Sequence, residues 1–332
     1  MDFIKLNRLI PGKSVIGLIA PSGVVDKFGL EQGVKILKDW GFSVKLGRHI
    51  LLKKGDYSAG SEAERIADFL EMIKDPQIAA VGCLVGGFAA AELLRFFKKE
   101  AFLSLRQQPK IFFGYSDFSL ILNALFSSGI VSLHAPNICG LYRRSFTTQK
   151  SLYLSLIGEL PAEIGPLADW KPLVPGFVRG RLLVSNLECL VNLLGTPLDP
   201  LKESSEDLIL ALEEVGEEKS TISRWLSTLA FHTETKKIGG IIIGRFTKIG
   251  EKDYPIWGKE IGIKDLFLKF FGKRKIPIAS LSEFGHIEEK RSLLNLRRRE
   301  RVDFLTLPSG AKVLFKVKPT SCRLRFLEKV VS

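Results

Sequence analysis

The run Lys110-Ile-Phe-Phe-Gly114-Tyr115-Ser116-Asp117 is an apolar segment that breaks at a glycine and delivers a serine to the start of a helical pattern. At a tight strand-to-helix turn a serine hydroxyl is exposed. The free amides of the first helical turn, with the helix dipole, can hold a developing oxyanion beside it. That is the chemistry of a nucleophile. The same position also suits a helix N-cap, where Ser and Asp satisfy free amides. The second glycine of G-x-S-x-G is replaced by Phe118, so the segment alone leaves both readings open.

A nucleophilic serine needs a base, and the histidines are His49, His134, His232 and His286. His286 is the best placed, in Phe284-Gly285-His286 after the apolar run Ile276 to Ser280, where glycine permits close approach. His134, in Leu133-His134-Ala135-Pro136, also ends an apolar run and is second. Either could equally be a structural histidine. A base is oriented by a carboxylate, and Leu208 to Leu212 runs into Glu213-Glu214. Adjacent side chains of an extended segment point oppositely, so one of the two should face the site and the other solvent. Glu213 is the candidate for the site. Gly86-Gly87, following the apolar run Ile78 to Leu84, could lend an amide to the oxyanion hole. It is not G-x-G-x-x-G, and neither a Walker A motif nor H-E-x-x-H occurs, which argues against dinucleotide binding, NTP hydrolysis and zinc proteolysis.

These residues must be positioned by the elements around them. Short apolar runs at Ser14 to Ala20, Phe42 to Leu46, Ile78 to Leu84, Ile111 to Phe113 and Ile130 to His134 alternate with helical patterns at Phe28 to Trp40, Ser61 to Ile73, Ala89 to Lys98 and Asp117 to Ser127. That alternation predicts an α/β fold, a parallel sheet covered on both faces, with functional loops at the strand C-termini. The Pro- and Gly-rich stretch from Gly158 predicts a linker over 158–179 between an N-terminal α/β domain (1–157) and a C-terminal domain (180–332). Strands are expected there at Gly180 to Leu183, Leu208 to Leu212, Ile238 to Ile243, Ile276 to Ser280 and Lys312 to Val317.

The composition fits a folded enzyme of 332 residues, with 45% hydrophobic and 26% charged residues. Lys and Arg number 49 against 36 acids, a formal charge of +13, densest from Lys264 to Arg301 and including Arg297-Arg298-Arg299. Such a surface attracts anions. No nucleic-acid-binding motif accompanies it, so a solvated basic face is expected rather than a nucleic-acid partner. Cys83, Cys139, Cys189 and Cys322 are widely spaced, as for reduced core thiols in a reducing compartment. The longest uncharged run, Phe118 to Tyr142, is too interrupted by polar residues for a membrane span.

Taken in order, Ile19-Ala-Pro-Ser-Gly23, Ala59-Gly-Ser-Glu-Ala-Glu-Arg65 with Asp68, Gly86-Gly87, Gly114-Tyr-Ser-Asp117, His134-Ala-Pro136, Asn186-Leu187, Gly195-Thr-Pro197, Leu212-Glu213-Glu214 and Gly285-His286 form a set. The set resembles the LD-carboxypeptidase family of serine peptidases, over residues 15 to 317. The resemblance implies a flavodoxin-like N-terminal domain carrying the serine and a smaller C-terminal β-rich α/β domain carrying Glu and His. It implies a triad of Ser116, Glu213 and His286, with oxyanion amides from Asp117 and the Gly86-Gly87 turn; Asn186, Tyr115 and Ser22 are candidate substrate contacts. It further implies release of the terminal D-Ala of a murein tetrapeptide in cytoplasmic cell-wall recycling, a homodimer, and no metal or organic cofactor.

This sequence departs from the family pattern in three places. Val85-Gly-Gly-Phe88-Ala89 stands where Arg-Gly-Gly-Tyr-Gly is usual, and Val184-Ser185-Asn186-Leu187 where Gly-Gly-Asn-Leu is usual. A β-branched Val184 would strain the turn if that position needed positive φ. The link from Gly285-His286 to Leu307-Pro308 is lengthened over 287–306, as a lid or a basic surface helix. Two other functions therefore stand beside the first: an amide hydrolase of the microcin-immunity type acting on a peptidyl or aminoacyl nucleotide, and a catalytically weak protein binding anionic ligands.

Overall fold

The computed structural model describes residues 3–55, 57–94, 102, 105–250, 261–287 and 304–332. The alternating pattern of the first half builds five parallel strands: β1 (Val15–Ile19), β2 (Ser43–Leu46), β3 (Ile78–Cys83), β4 (Ile111–Gly114) and β5 (Ser132–His134). Their order is β2-β1-β3-β4-β5, the flavodoxin-like order in which ligands bind outside the strand C-termini. The helices between them start where the sequence supplies caps. The Asp26 carboxylate accepts from the Gly29 amide at 2.7 Å ahead of helix Lys27–Asp39, and Ser61 and Glu64 form a capping box ahead of helix Glu62–Lys74.

Among the described residues the second sheet has eight strands: β6 (Glu163–Ile164), β7 (Trp170–Val174), β8 (Gly176–Asn186), β9 (Leu208–Val215), β10 (Ile238–Thr247), β11 (Ile278–Leu281), β13 (Lys312–Lys318) and β14 (Ser321–Phe326). Their order is β6-β14-β13-β8-β9-β10-β11-β7. Its four inner strands, β8 to β11, are parallel, and antiparallel strands flank them. Residues 158–179 thus hold β6, β7 and the start of β8, and extend this sheet at both edges. β12 (Leu307–Ser309) leaves the second half altogether and pairs antiparallel with β5 on the edge of the first sheet.

Helix Ser119–Ser127, Ser-Leu-Ile-Leu-Asn-Ala-Leu-Phe-Ser, is buried at every position. A helix apolar on all sides must be covered on all sides, and this one is wedged between the two sheets. Its Asn123 side chain donates to Ser185 Oγ of β8 at 2.8 Å, and Ser119 Oγ accepts from the Asn186 amide at 3.5 Å. The element that leaves the Ser116 turn therefore sets how the C-terminal ends of the two sheets meet. Val184 lies within β8 and is not among the residues of positive φ, so the expected strain is absent: the backbone there is ordinary extended strand.

Candidate active site

The turn after β4 is forced by its neighbours. Gly114 has φ +156, and a Cβ there would sit 2.6 Å from Cys83 Cβ and 2.7 Å from the Phe118 ring. Tyr115 is extended, and the Asn137 side chain holds its backbone from one side, accepting from the Tyr115 amide at 3.1 Å. Ser116 then takes φ +63, a left-handed conformation that costs an L-residue about 1–2 kcal/mol. The result is a half-buried hydroxyl on a backbone that could not point it elsewhere.

From the second sheet, Glu213 near the end of β9 is fully buried. Its Oε2 accepts from His286 Nδ1 at 2.6 Å and from the His286 amide at 3.0 Å. Gly285, at φ +97, makes this approach possible, because a Cβ there would lie 2.6 Å from Glu213 Cβ. Burial alone would raise the Glu213 carboxyl, but its electrostatic and hydrogen-bond interactions with His286 outweigh it and hold Glu213 below its ordinary value. An ionised Glu213 requires the proton on Nδ1. His286 Nε2 is then an acceptor, and it lies 3.0 Å from Ser116 Oγ. The arrangement can draw a proton from the serine hydroxyl and stabilise the resulting imidazolium.

The Gly86-Gly87 turn closes on the serine from a third strand. A Cβ on Gly86 would fall 2.7 Å from Ser116 Oγ, so only glycine allows this approach. Among the described residues, none accepts from the amides of Gly86, Gly87 or Asp117, which leaves them available to an oxyanion.

Other expected residues are placed differently. His134 does not reach the serine: it is fully buried, stacked on Phe304 with ring centroids 5.6 Å apart, and separated from His286 by the Tyr115 ring, 4.7 Å from one and 6.0 Å from the other. Burial pushes its pKa down to about 4, so it is neutral. His49 and His232 pair with Asp68 and Asp199 elsewhere. Glu214 was expected to face solvent and is instead 2% exposed, because β9 lies inside a parallel sheet covered on both faces. Its carboxylate accepts from Asn186 Nδ2 at 2.7 Å, the Glu188 amide at 2.9 Å and the Val215 amide at 2.8 Å, while burial raises its pKa to about 7.

Asn186 Oδ1 accepts from the Cys189 amide at 3.1 Å, capping helix Leu187–Val191, so both polar atoms of this buried side chain already carry a structural bond. The Ser22 hydroxyl is likewise fully buried and bonded to Asp117 Oδ2 and the Ala89 amide. Tyr115 alone of these three borders His286. All four cysteines are unpaired. The Arg297-Arg298-Arg299 run and most of 287–306 lie outside the described residues. Among the described residues, no three His, Cys, Asp or Glu are grouped to hold a metal, and no helix is long and apolar enough to cross a membrane.

Comparison with known proteins agrees along the chain. The LD-carboxypeptidase N-terminal domain family matches residues 16–135, and the LD-carboxypeptidase C-terminal domain family matches residues 179–299. The protein named "Probable murein peptide carboxypeptidase" of Bacillus subtilis (strain 168) is 31% identical over 238 residues, covering 70% of this chain and 72% of its own. The crystal structure of muramoyltetrapeptide carboxypeptidase from Oxalobacter formigenes superimposes with a TM-score of 0.74 at 25% identity, covering 95% of this chain and 99% of its own. A structure of MccF in complex with glutamyl sulfamoyl guanosine gives a TM-score of 0.80 at 20% identity, covering 99% of each chain.

Proposed function

The chain belongs to the LD-carboxypeptidase family, and from that premise we propose that it is the serine peptidase that releases terminal D-Ala from a murein tetrapeptide, working on the soluble peptides of cytoplasmic cell-wall recycling as a homodimer. The observation that carries the reading is the unbroken line from Ser116 Oγ through His286 to Glu213, at 3.0 and 2.6 Å. Its parts come from both of the units proposed from the sequence, 1–157 and 180–332, so the substrate lies in the cleft between them.

In this mechanism Ser116 Oγ attacks the carbonyl carbon of the diamino acid's L-centre as its proton passes to His286 Nε2. The carbonyl oxygen becomes an oxyanion held by the Asp117 amide and by Gly86 or Gly87. Glu213 stabilises the imidazolium without taking its proton. His286 then gives the proton to the leaving amine of D-Ala as the C–N bond breaks. A water, deprotonated by the same His286, hydrolyses the acyl-enzyme and restores Ser116. No step requires a metal or organic cofactor. The basic surface of the chain suits a substrate bearing carboxylates.

A second reading, hydrolysis of a peptidyl or aminoacyl nucleotide amide, is favoured by one feature: the position at which the family usually carries Tyr holds Phe88, 72% exposed and stacked on Tyr57 at 5.3 Å beside the Gly86-Gly87 turn. Purified wild type and Ser116→Ala, incubated with murein tetrapeptide and read by mass spectrometry for free D-Ala, decide between them. Release by wild type alone upholds the peptidase reading. No release by folded wild type moves the assignment to the nucleotide amide, and if a glutamyl sulfamoyl nucleoside is also left intact, to anionic-ligand binding.

A further inference from the structure

The Asp117 carboxylate lies immediately after the serine, is 8% exposed, and is used by none of the steps above. Its Oδ2 accepts from the Ala90 amide at 2.8 Å and from Ser22 Oγ at 2.5 Å. Ser22 Oγ in turn accepts from the Ala89 amide at 3.0 Å. Ala89 and Ala90 directly follow the Gly86-Gly87-Phe88 turn. The turn is tied again on the same side, because the Gly23 amide donates to the Gly86 carbonyl at 2.9 Å. Farther along, Glu92 is held by Arg65 and by the Tyr57 hydroxyl. Loops from the ends of β1, β3 and β4 thus meet on one carboxylate oxygen. A buried carboxylate is costly unless donors converge on it, and here the donors are the loop itself and the serine that braces it.

We propose that Asp117 is a positioning residue: its carboxylate locks the Gly86-Gly87 turn against the Ser116 turn, so that oxyanion donors from two different strands hold one geometry. The proposal rests on the reading of Ser116 as nucleophile. Asp117 then serves twice, its amide facing the oxyanion and its side chain fixing the partner amide. Removing the clamp leaves substrate binding in place and lowers the chemical step.

The test measures kcat and KM on murein tetrapeptide and, independently of substrate, the rate of covalent labelling by an alkyl fluorophosphonate. The Asp117→Ala variant is expected to lose about 100-fold in kcat and in labelling rate, with KM changed by less than about threefold. In Asp117→Asn the amide oxygen accepts the same bonds, and both rates are expected to return to within about fivefold of wild type. Ser22→Ala keeps the Ala90 bond and is expected to lose about tenfold. Asp117→Ala at wild-type rates overturns the proposal. So does an Asp117→Asn variant as slow as Asp117→Ala, which would mean that the charge acts on the substrate. Should Asp117→Ala fail to fold, unchanged labelling of Ser22→Ala overturns it equally. Wild type that is labelled but releases no D-Ala refutes the substrate while the clamp is still judged on labelling; wild type that is never labelled refutes both.

Discussion

Ser116 is held at φ +63 in a turn where Gly114 and Asn137 leave the backbone no relaxed path, whereas Glu213 occupies ordinary extended strand and is fixed by complete burial and two bonds from His286. The first sheet positions its contribution by backbone strain, the second by desolvation. A strained backbone fixes a direction and stays strained whatever the pH. A desolvated charge fixes a protonation state and fails when its partner is lost. The same contrast recurs one residue apart on β9. Glu213 takes two bonds from His286, a partner that can carry the positive charge, and is held ionised, while Glu214 has only neutral amide donors and is pushed toward the protonated form.

Removing the charge from the second half tests that division most severely. Glu213→Gln keeps the shape but no longer demands the proton on His286 Nδ1, and kcat is expected to fall by about 10⁴ with KM little changed, read by steady-state D-Ala release. A fall below tenfold would mean that the histidine is oriented by its surroundings without the carboxylate.

A smaller effect separates the two neighbouring acids by pH. Glu214 has a folded pKa of about 7 against an ordinary 4.5, so the folded state keeps a proton that the unfolded chain releases between those values. Its contribution is present below about pH 4.5 and is lost as pH rises through 7, on the order of 3 kcal/mol. Glu213 has the opposite sign: its contribution is present above the ordinary value and is lost as pH falls through its lowered folded pKa. Urea unfolding of Glu214→Gln from pH 5 to pH 8 should show a flatter loss of stability than wild type, and Glu213→Gln should lose sensitivity only on the acid side. Parallel profiles for the two variants would erase the distinction.

The smallest effect belongs to the first half. Ser116→Gly and Ser116→Ala are both expected to be inactive, but glycine adopts φ +63 without penalty, so the Gly variant should be about 0.5–1 kcal/mol more stable than the Ala variant in denaturant unfolding. A Gly variant less stable than the Ala variant by about 0.5–1 kcal/mol, the ordinary entropic cost of glycine, would show that the turn holds no strain.

Periodicity and the strand-end glycines were enough to locate β1 to β5 and the serine turn and to single out Glu213 and His286 as candidates, because each depends on local pattern or on a residue type that the chemistry demands. What depended on distant contacts was not legible. β6 pairs with β14 and β7 with β11, so residues 158–179 look like a linker until their partners are in place. Glu214, Ser22 and Asn186 carry polar groups whose partners come from remote segments, and nothing near them in sequence marks those groups as already bonded. Asn137 is the clearest omission. It lies three residues past His134, yet its bond to the Tyr115 amide exists only once β4 and β5 are side by side.

β12, Leu307–Ser309, closes the edge of the first sheet beside β5. While the chain is being made on a ribosome, β5 therefore remains an open edge until residue 307 has emerged, long after every other strand of its sheet is available. An unpaired edge recruits other strands, so until then the nucleophile-bearing half carries an edge open to other chains. A chain cut short before Leu307 would keep that edge for good. Quality control of truncated products should read this flaw in the first half, although the missing residues belong to the second.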